Sequence, residues 1–458
     1  MRIYLDKNIF SELGKPERQA DLEFLLQLKK KHVFVFSEAH LEDLNQDKTE
    51  KKRDDLLFME RLVDRNYLVN DVKNGHADVL LATPTEAFDG KSFFTPGSIG
   101  DLFGAFDGLS GALPTLMKGL FSLRLPLNLA SNIAAMDEAE KKIWLKLIPN
   151  PKDYYTLGEW IELFGAFLDA LHEDKSVYKG VRGAIREATM GFDFSVSSKD
   201  IKMVDRTGKE WSFIDMVNTG VENANKNKTP STHDYLTTTF LMLNLTGVDD
   251  EPNKKARFTN TQNDAGHAFF GAHCDYLVTN DVGFMVKSNL VLGMRGIATE
   301  TMNLEQFLQR MRYLSQISEQ SGAALFKSLG HGLRHSFLTT SPSVMFPWRT
   351  YVDYKVNEHY LNHFNRLQAI HEGERSFLLL ERRQNNLSHF DMYSEYQVVV
   401  QQLLDLFGLD DEGLGRFNDV DVDQLREGTW KGRWWTLADA TIRVEVNQGT
   451  KSFCLLIL

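Results

Sequence analysis

The sequence predicts an α/β protein. A parallel-sheet domain is split by a long, mostly helical insertion and followed by an α+β C-terminal region. Two observations carry this reading. Short apolar runs alternate with helical segments at the start of the chain and again from Asn263, and a long stretch of different character separates the two alternations. With 458 residues, 42% hydrophobic and 25% charged, the chain is also long enough for several packed units, at roughly 150 residues per domain.

The elements follow in order. Arg2–Leu5 (RIYL) reads as a buried strand ending on Asp6, and a helix starts within Asn8–Leu13. Ala20–Lys31 is helical, with Leu22, Leu25, Leu26 and Leu28 on or near one face. His32–Phe36 is a second apolar β-rich run. It leads into Ser37, a good N-cap, and an acidic helix over Glu38–Leu44. The charged stretch Lys48–Asn70 reads as helical. Between about Val72 and Lys255 the character changes. Gly and Phe punctuate Phe93–Gly119, and helical periodicity falls in Ala134–Ile148, Leu157–His172 and Tyr178–Thr189. Asn223–Thr232 is polar and loop-like. The simple pattern then returns. Asp264–Cys274 is an apolar-faced helix opened by Asp264, Asp275–Thr279 is a short strand, and Val282–Leu290 is helical. Val291–Ala298 is extended and Asn303–Met311 is helical. Past about Gly330, Phe377–Glu381, Thr441–Val446 and Ser452–Leu458 read as strands, with a helix over Tyr396–Leu406.

Net charge is −11, from 52 Lys plus Arg against 63 Asp plus Glu, which argues against coating nucleic acid by bulk charge. It leaves open an enzyme that binds nucleic acid locally. Two cysteines, Cys274 and Cys454, are too few for a disulfide framework or a Cys-based zinc site. Asp6 and Lys7 interrupt the first apolar run, unlike a secretory signal, and no long uncharged apolar stretch reads as a membrane span. The expected setting is the cytoplasm, with no membrane. There is no GxxxxGK[ST] phosphate loop and no GxSxG nucleophile elbow.

The chemistry-bearing residues are Asp6, Asp43, Asp264 and Asp281. Each lies at a strand end or near a helix start, and in an open α/β sheet ligand sites gather beyond the carboxyl ends of the strands. Carboxylates gathered there repel unless a cation sits among them, and hard oxygen donors favour Mg²⁺ or Mn²⁺. Such a site supports metal-assisted attack of water on a phosphodiester.

YLDKNIFSEL (Tyr4–Leu13), FSEAHLEDL (Phe36–Leu44), DAGHAFFGAHCDYLVTNDVGF (Asp264–Phe284) and GIATETMNLEQFL (Gly296–Leu308) together resemble the PIN-domain nucleases. Asp6 and Asn8 fit the opening motif. Asp43 falls at the acid of the second, with Glu42 as its ambiguous neighbour, and Asp264, Thr279 and Asp281 fit the third. The resemblance implies a PIN-like fold over 1–70 and 258–315, an insertion over 71–257 and a C-terminal domain over 316–458. It implies Mg²⁺- or Mn²⁺-dependent endonuclease activity, on RNA more than DNA, and in prokaryotes often a toxin or anti-phage defence role with a regulatory protein partner. The alternative is an inactive PIN-like module for nucleic-acid binding or assembly.

Other residues have a functional and an ordinary reading. Asn8, Ser37, Glu38, Glu42, His267, Thr279 and Asn280 are candidates to support the metal site, set against capping, packing or turn roles. Asp275 is a fifth acid or a turn residue. Lys175, Lys179, Arg182 and Arg186 form one basic stripe if helical, either for a nucleic-acid backbone or simply solvated. The pairs His331/His335 and His359/His363 have a spacing that binds zinc, but lack further ligands at motif spacing. Trp430–Trp435 (WKGRWW) offers base-stacking groups or core for the tail.

Overall fold

The computed structural model describes residues 1–91 except 48, 50 and 72–74, and 258–458 except 318–320, 343–347, 357–358, 383–385 and 448–451. Between them it describes 124–136, scattered positions up to 163, and 178–179, 202–204, 210–224 and 229–245. The chain forms two compact units. One comprises Met1–Gly90, Phe269–Met285 and Arg295–Leu458; the other comprises Lys91–Ala268 and Val286–Met294.

The first unit is mixed α/β. Its N-terminal sheet begins with β1 (Arg2–Leu5), followed by helices α1 (Lys7–Leu13) and α2 (Gln19–Leu28) and strand β2 (Val33–Ser37). Then come α3 (Glu38–Gln46), α4 (Lys52–Val63) and the strands β3 (Asn66–Asp71) and β4 (His76–Leu81). Two further strands, β5 (Tyr276–Val278) and β6 (Glu300–Met302), complete a six-stranded sheet of order β6-β5-β1-β2-β3-β4. All neighbours run parallel except β3 and β4. β1 and β2 are buried along their whole length, as parallel strands covered on both faces must be. That requirement explains the apolar runs IYL and VFVF, while the buried Arg2 is admitted because a carboxylate, Glu395, receives its charge. Leu22, Leu25 and Leu28 of α2 are buried as the helical spacing predicts.

Three expectations need correction. The helix over Lys48–Asn70 stops at Val63, where Asp64 takes a left-handed φ of 49°. The chain then enters β3, and Tyr67 stacks on Phe36 of β2 at 4.8 Å. Gly75, at φ 65°, turns it into β4. Next, helix α5 (Phe258–Gly271) begins six residues before Asp264, so Asp264 does not open it. The polar turns ahead of Asp264 are already helical. Finally, Val291–Ala298 is not extended. Helix α6 (Val282–Met294) takes up its first half, and Arg295 with Gly296, at φ 67°, turns the chain after it. A short apolar run such as VLGM fits a buried helix as well as a strand.

Helix α7 (Leu304–Ile317) follows β6, and α8 (Gly322–His335) begins the C-terminal part. Strands β7 (Phe337–Pro342), β8 (Arg349–Tyr354), β9 (Arg366–Glu372) and β10 (Arg375–Glu381) come next. Helices α9 (Tyr393–Phe407) and α10 (Asp419–Glu427) precede β11 (Arg433–Thr436), β12 (Thr441–Val446) and β13 (Phe453–Ile457). The seven strands form one antiparallel sheet of order β7-β8-β9-β10-β13-β12-β11. Its core includes Phe364, Tyr396, Leu403, Trp430, Trp435 and Phe453.

This sheet and the parallel sheet belong to the same compact unit. A buried ionic network ties the two sheets. The Arg2 guanidinium donates to both Glu395 carboxylate oxygens, at 2.8 and 2.7 Å. Arg382 donates to Glu395 at 2.6 Å and to Asp275 at 2.8 Å. Burial pushes the Glu395 carboxyl up, yet Arg2 and Arg382 hold it well below the usual range.

In the second unit the described residues include helices at Phe213–Ala224 and Thr232–Leu245. The Tyr178 hydroxyl donates to Asn244 Oδ1 at 2.6 Å, and buried Lys287 lies 5.3 Å from the Phe240 ring centre. Most of the helical spans expected over 134–189, and the Gly/Phe stretch 93–119, lie outside the described residues. Among the described residues no helix is long and apolar enough to cross a membrane.

Candidate metal centre

Asp6 leaves the carboxyl end of β1, between β5 and β2 in the middle of the parallel sheet, and is 8% exposed. Its N–H continues the ladder to β5, donating to the Val278 carbonyl at 2.9 Å. Its Oδ2 accepts from the Thr279 hydroxyl at 2.7 Å and from the Asn8 amide. Thr279 Oγ1 also accepts from Asn8 at 3.1 Å and from the Asp281 N–H at 3.1 Å. A hydroxyl has one proton and two lone pairs. All three are committed here, which fixes the orientation of the Asp6 carboxylate.

Asn8 and Asn280 lock the neighbouring strand ends. Asn8 Oδ1 accepts from the Asn280 N–H, and Asn280 Oδ1 accepts from the N–H of Leu304 at the start of α7, each at 3.1 Å. Asn8, Thr279 and Asn280 thus form one polar frame around Asp6.

Asp43 lies on the second turn of α3, half-buried, and its main-chain carbonyl accepts from Lys7 Nζ at 3.2 Å. Asp6 and Asp43 offer carboxylate oxygens within 4.8 Å of each other. At an effective dielectric of ~20, two unit charges that close repel by about 3 kcal/mol. A divalent cation relieves that cost, and two carboxylates are the hard oxygen donors that Mg²⁺ and Mn²⁺ take. The donor set fits those ions.

Asp281 does not join Asp6 and Asp43 in that close group. Its Oδ1 accepts from the Phe284 N–H at 2.8 Å, so it caps the start of α6. Asp264 and His267 both lie on α5 within the second unit; Asp264 is half-buried and His267 buried.

The other candidates have definite places. Ser37 Oγ is 2.7 Å from the Tyr4 hydroxyl and 3.3 Å from His40 Nδ1. Glu38 accepts from the Asn70 N–H at 3.3 Å and so holds β3. Burial raises the Tyr67 hydroxyl pKa, and Glu38 and Glu42 raise it further. Asp275 is a structural acid. Its Oδ2 accepts from the Arg2 N–H at 2.6 Å and from Arg382, and these partners hold it well below the carboxylate range despite its burial. Lys179 is exposed; Lys175, Arg182 and Arg186 lie outside the described residues.

His331 and His335 are exposed on α8 with ring centres 4.6 Å apart. His359 and His363 sit in a turn, not on a helix, so their spacing does not create a shared face. Trp430, Arg433 and Trp435 are buried in the tail core, where Arg433 pairs with Asp410 at 3.1 Å and Asp421 at 2.7 Å. Those three side chains pack the tail, while Trp434 is half-buried.

Sequence reasoning missed His40. It is fully buried at the third position of α3. The Ser37 N–H donates to its Nδ1 at 3.1 Å, and its Nε2 lies 2.7 Å from the Leu5 carbonyl. The available signal was a histidine three residues after a serine cap, at the acidic helix that carries Asp43.

Comparison of the chain with protein-family models, with curated proteins and with solved structures finds no match.

Proposed function

We propose that the chain is a PIN-like, divalent-metal-dependent endonuclease that hydrolyses phosphodiester bonds, with RNA as its substrate. The observation that supports it best is the pair of carboxylates from Asp6 and Asp43 at the carboxyl edge of a parallel sheet. In this reading they hold Mg²⁺ or Mn²⁺, and the sequence resemblance adds Asp264 and Asp281 as ligands. The ion supplies an acidified water and neutralises charge on the scissile phosphate. The chain's own part is to orient and hold. Thr279 and Asn8 fix the Asp6 carboxylate in one rotamer. The setting that the resemblance suggests is a prokaryotic toxin or defence effector with a regulatory protein partner.

The second reading is a PIN-like binding or assembly module without catalysis. It draws on Asp281, whose carboxylate already has a structural task as a helix cap. Cleavage of RNA and of single-stranded DNA with Mn²⁺ or Mg²⁺ separates the two. The nuclease reading expects cleavage by the wild type and background only from Asp6→Asn with Asp43→Asn. Equal cleavage by wild type and double variant refutes it, and binding without cleavage supports the module.

A further inference from the structure

The β1–β2 ladder has an irregular last rung. The Val33 N–H donates to the Met1 carbonyl at 3.0 Å, and the register runs Arg2↔Val33, Ile3↔Phe34, Tyr4↔Val35. In a parallel ladder the bonds are evenly spaced. Two residues on, the Ile3 carbonyl meets the Val35 N–H. Two further, the Leu5 carbonyl should meet the Ser37 N–H. Both of those groups are instead engaged by one side chain. The Ser37 N–H donates to His40 Nδ1, and the Leu5 carbonyl lies 2.7 Å from His40 Nε2. Because Nδ1 accepts, the ring proton sits on Nε2 and is donated to Leu5. The imidazole is therefore inserted into the rung.

The ring is held on all sides. Its centre is 4.8 Å from the Tyr4 ring and 5.8 Å, edge-on, from Phe10, and it has no exposed surface. An imidazole between a carbonyl and an N–H holds them farther apart than a direct bond does. The two strand ends it separates are those that lead to the acids. Leu5 immediately precedes Asp6, and Asp43 is three residues after His40 on the same helix, on neighbouring turns of one face.

We infer that His40 is a positioning residue. It spreads the carboxyl ends of β1 and β2 and sets the separation of Asp6 and Asp43 at which they share a cation. This rests on the metal reading above and assigns to that site a residue outside the four acids.

The test is calorimetric titration of Mn²⁺ alone into the full chain, for wild type, His40→Leu and His40→Gln, well below the unfolding temperature of each. The expected result is that His40→Leu weakens Mn²⁺ binding about ten- to a hundredfold, the range for losing a group that orients a ligand. His40→Gln, whose amide both accepts from an N–H and donates to a carbonyl, recovers most of the affinity. A merely structural histidine lowers the unfolding temperature of His40→Leu and leaves Mn²⁺ affinity unchanged; that result overturns the proposal. If His40→Leu does not fold, nitrogen NMR of the wild-type ring decides. Protonated Nε2 with accepting Nδ1 supports the inserted rung, and the opposite tautomer overturns it. Wild type that binds no Mn²⁺ removes the metal reading together with this inference. Wild type that binds while His40→Leu binds equally well removes this inference alone.

Discussion

Asp43→Asn should reverse its effect on stability when metal is added. In chelator, Asp6 and Asp43 face each other within 4.8 Å. The unscreened repulsion at an effective dielectric of ~20 is 332/(20 × 4.8), about 3 kcal/mol. Asp43 is half-buried and the Lys7 ammonium lies against its carbonyl, so solvent and that charge reduce the figure to about 1 kcal/mol. Asparagine has nearly the same shape and no charge. Asp43→Asn is therefore expected to unfold about 1 kcal/mol later than wild type in chelator, a rise of roughly 2 °C for a unit of this size. With Mn²⁺ at a hundred times its dissociation constant, wild type gains about 2.7 kcal/mol by mass action. The variant, with one ligand lost, gains much less. The order of melting temperatures should cross. Calorimetric melts with chelator and with a Mn²⁺ series give both halves. A variant less stable than wild type in chelator, with wild type indifferent to Mn²⁺, would refute the charge argument.

Three further outcomes are expected. Glu395→Ala strands Arg2 and Arg382 without their buried carboxylate and should cost about 3–5 kcal/mol, read as a lower urea midpoint at unchanged slope; a loss below 1 kcal/mol contradicts the network's role. Stability should fall on acidification. Burial lowers His359 to about 4 and holds His32 and His363 well below their ordinary value, so each remains neutral while the unfolded chain takes up protons. Their contribution is complete above about pH 6.5, the unfolded value, and is lost as pH drops toward 4; urea midpoints that stay flat from pH 7 to pH 5 would contradict it. Asp281→Ser keeps a cap for α6 and should leave stability within about 0.5 kcal/mol, while removing the carboxylate the nuclease reading needs. Lost RNA cleavage at intact stability assigns that acid to the chemistry, and full cleavage assigns it to capping alone.

The sequence made some elements legible for a plain reason. IYL, VFVF and YLV are unbroken apolar runs because a parallel strand is covered on both faces, and each leads directly into an acid or a hydroxyl. β3 was hidden. NYLVND follows a charged helix without a glycine or proline, and only Asp64, at a positive φ, and Arg65 separate them. Asp275 was ambiguous because its partners, Arg2 and Arg382, are 273 and 107 residues away. Asp281 was legible as an acid but not as a cap, since one oxygen type serves both tasks. His40 was invisible for a deeper reason. Its role depends on which rung of a two-strand register it fills, and no periodicity within its own helix encodes that.

The Arg2–Glu395 pair also has a consequence in time. The two residues are 393 positions apart. At ribosomal speeds of about 5–20 residues per second, that gap is roughly 20–80 s of synthesis. Throughout it the guanidinium of the nascent first strand lacks the carboxylate that receives two of its hydrogen bonds in the folded chain, so the buried pair beside the strand that leads to Asp6 closes only after the C-terminal part has been made.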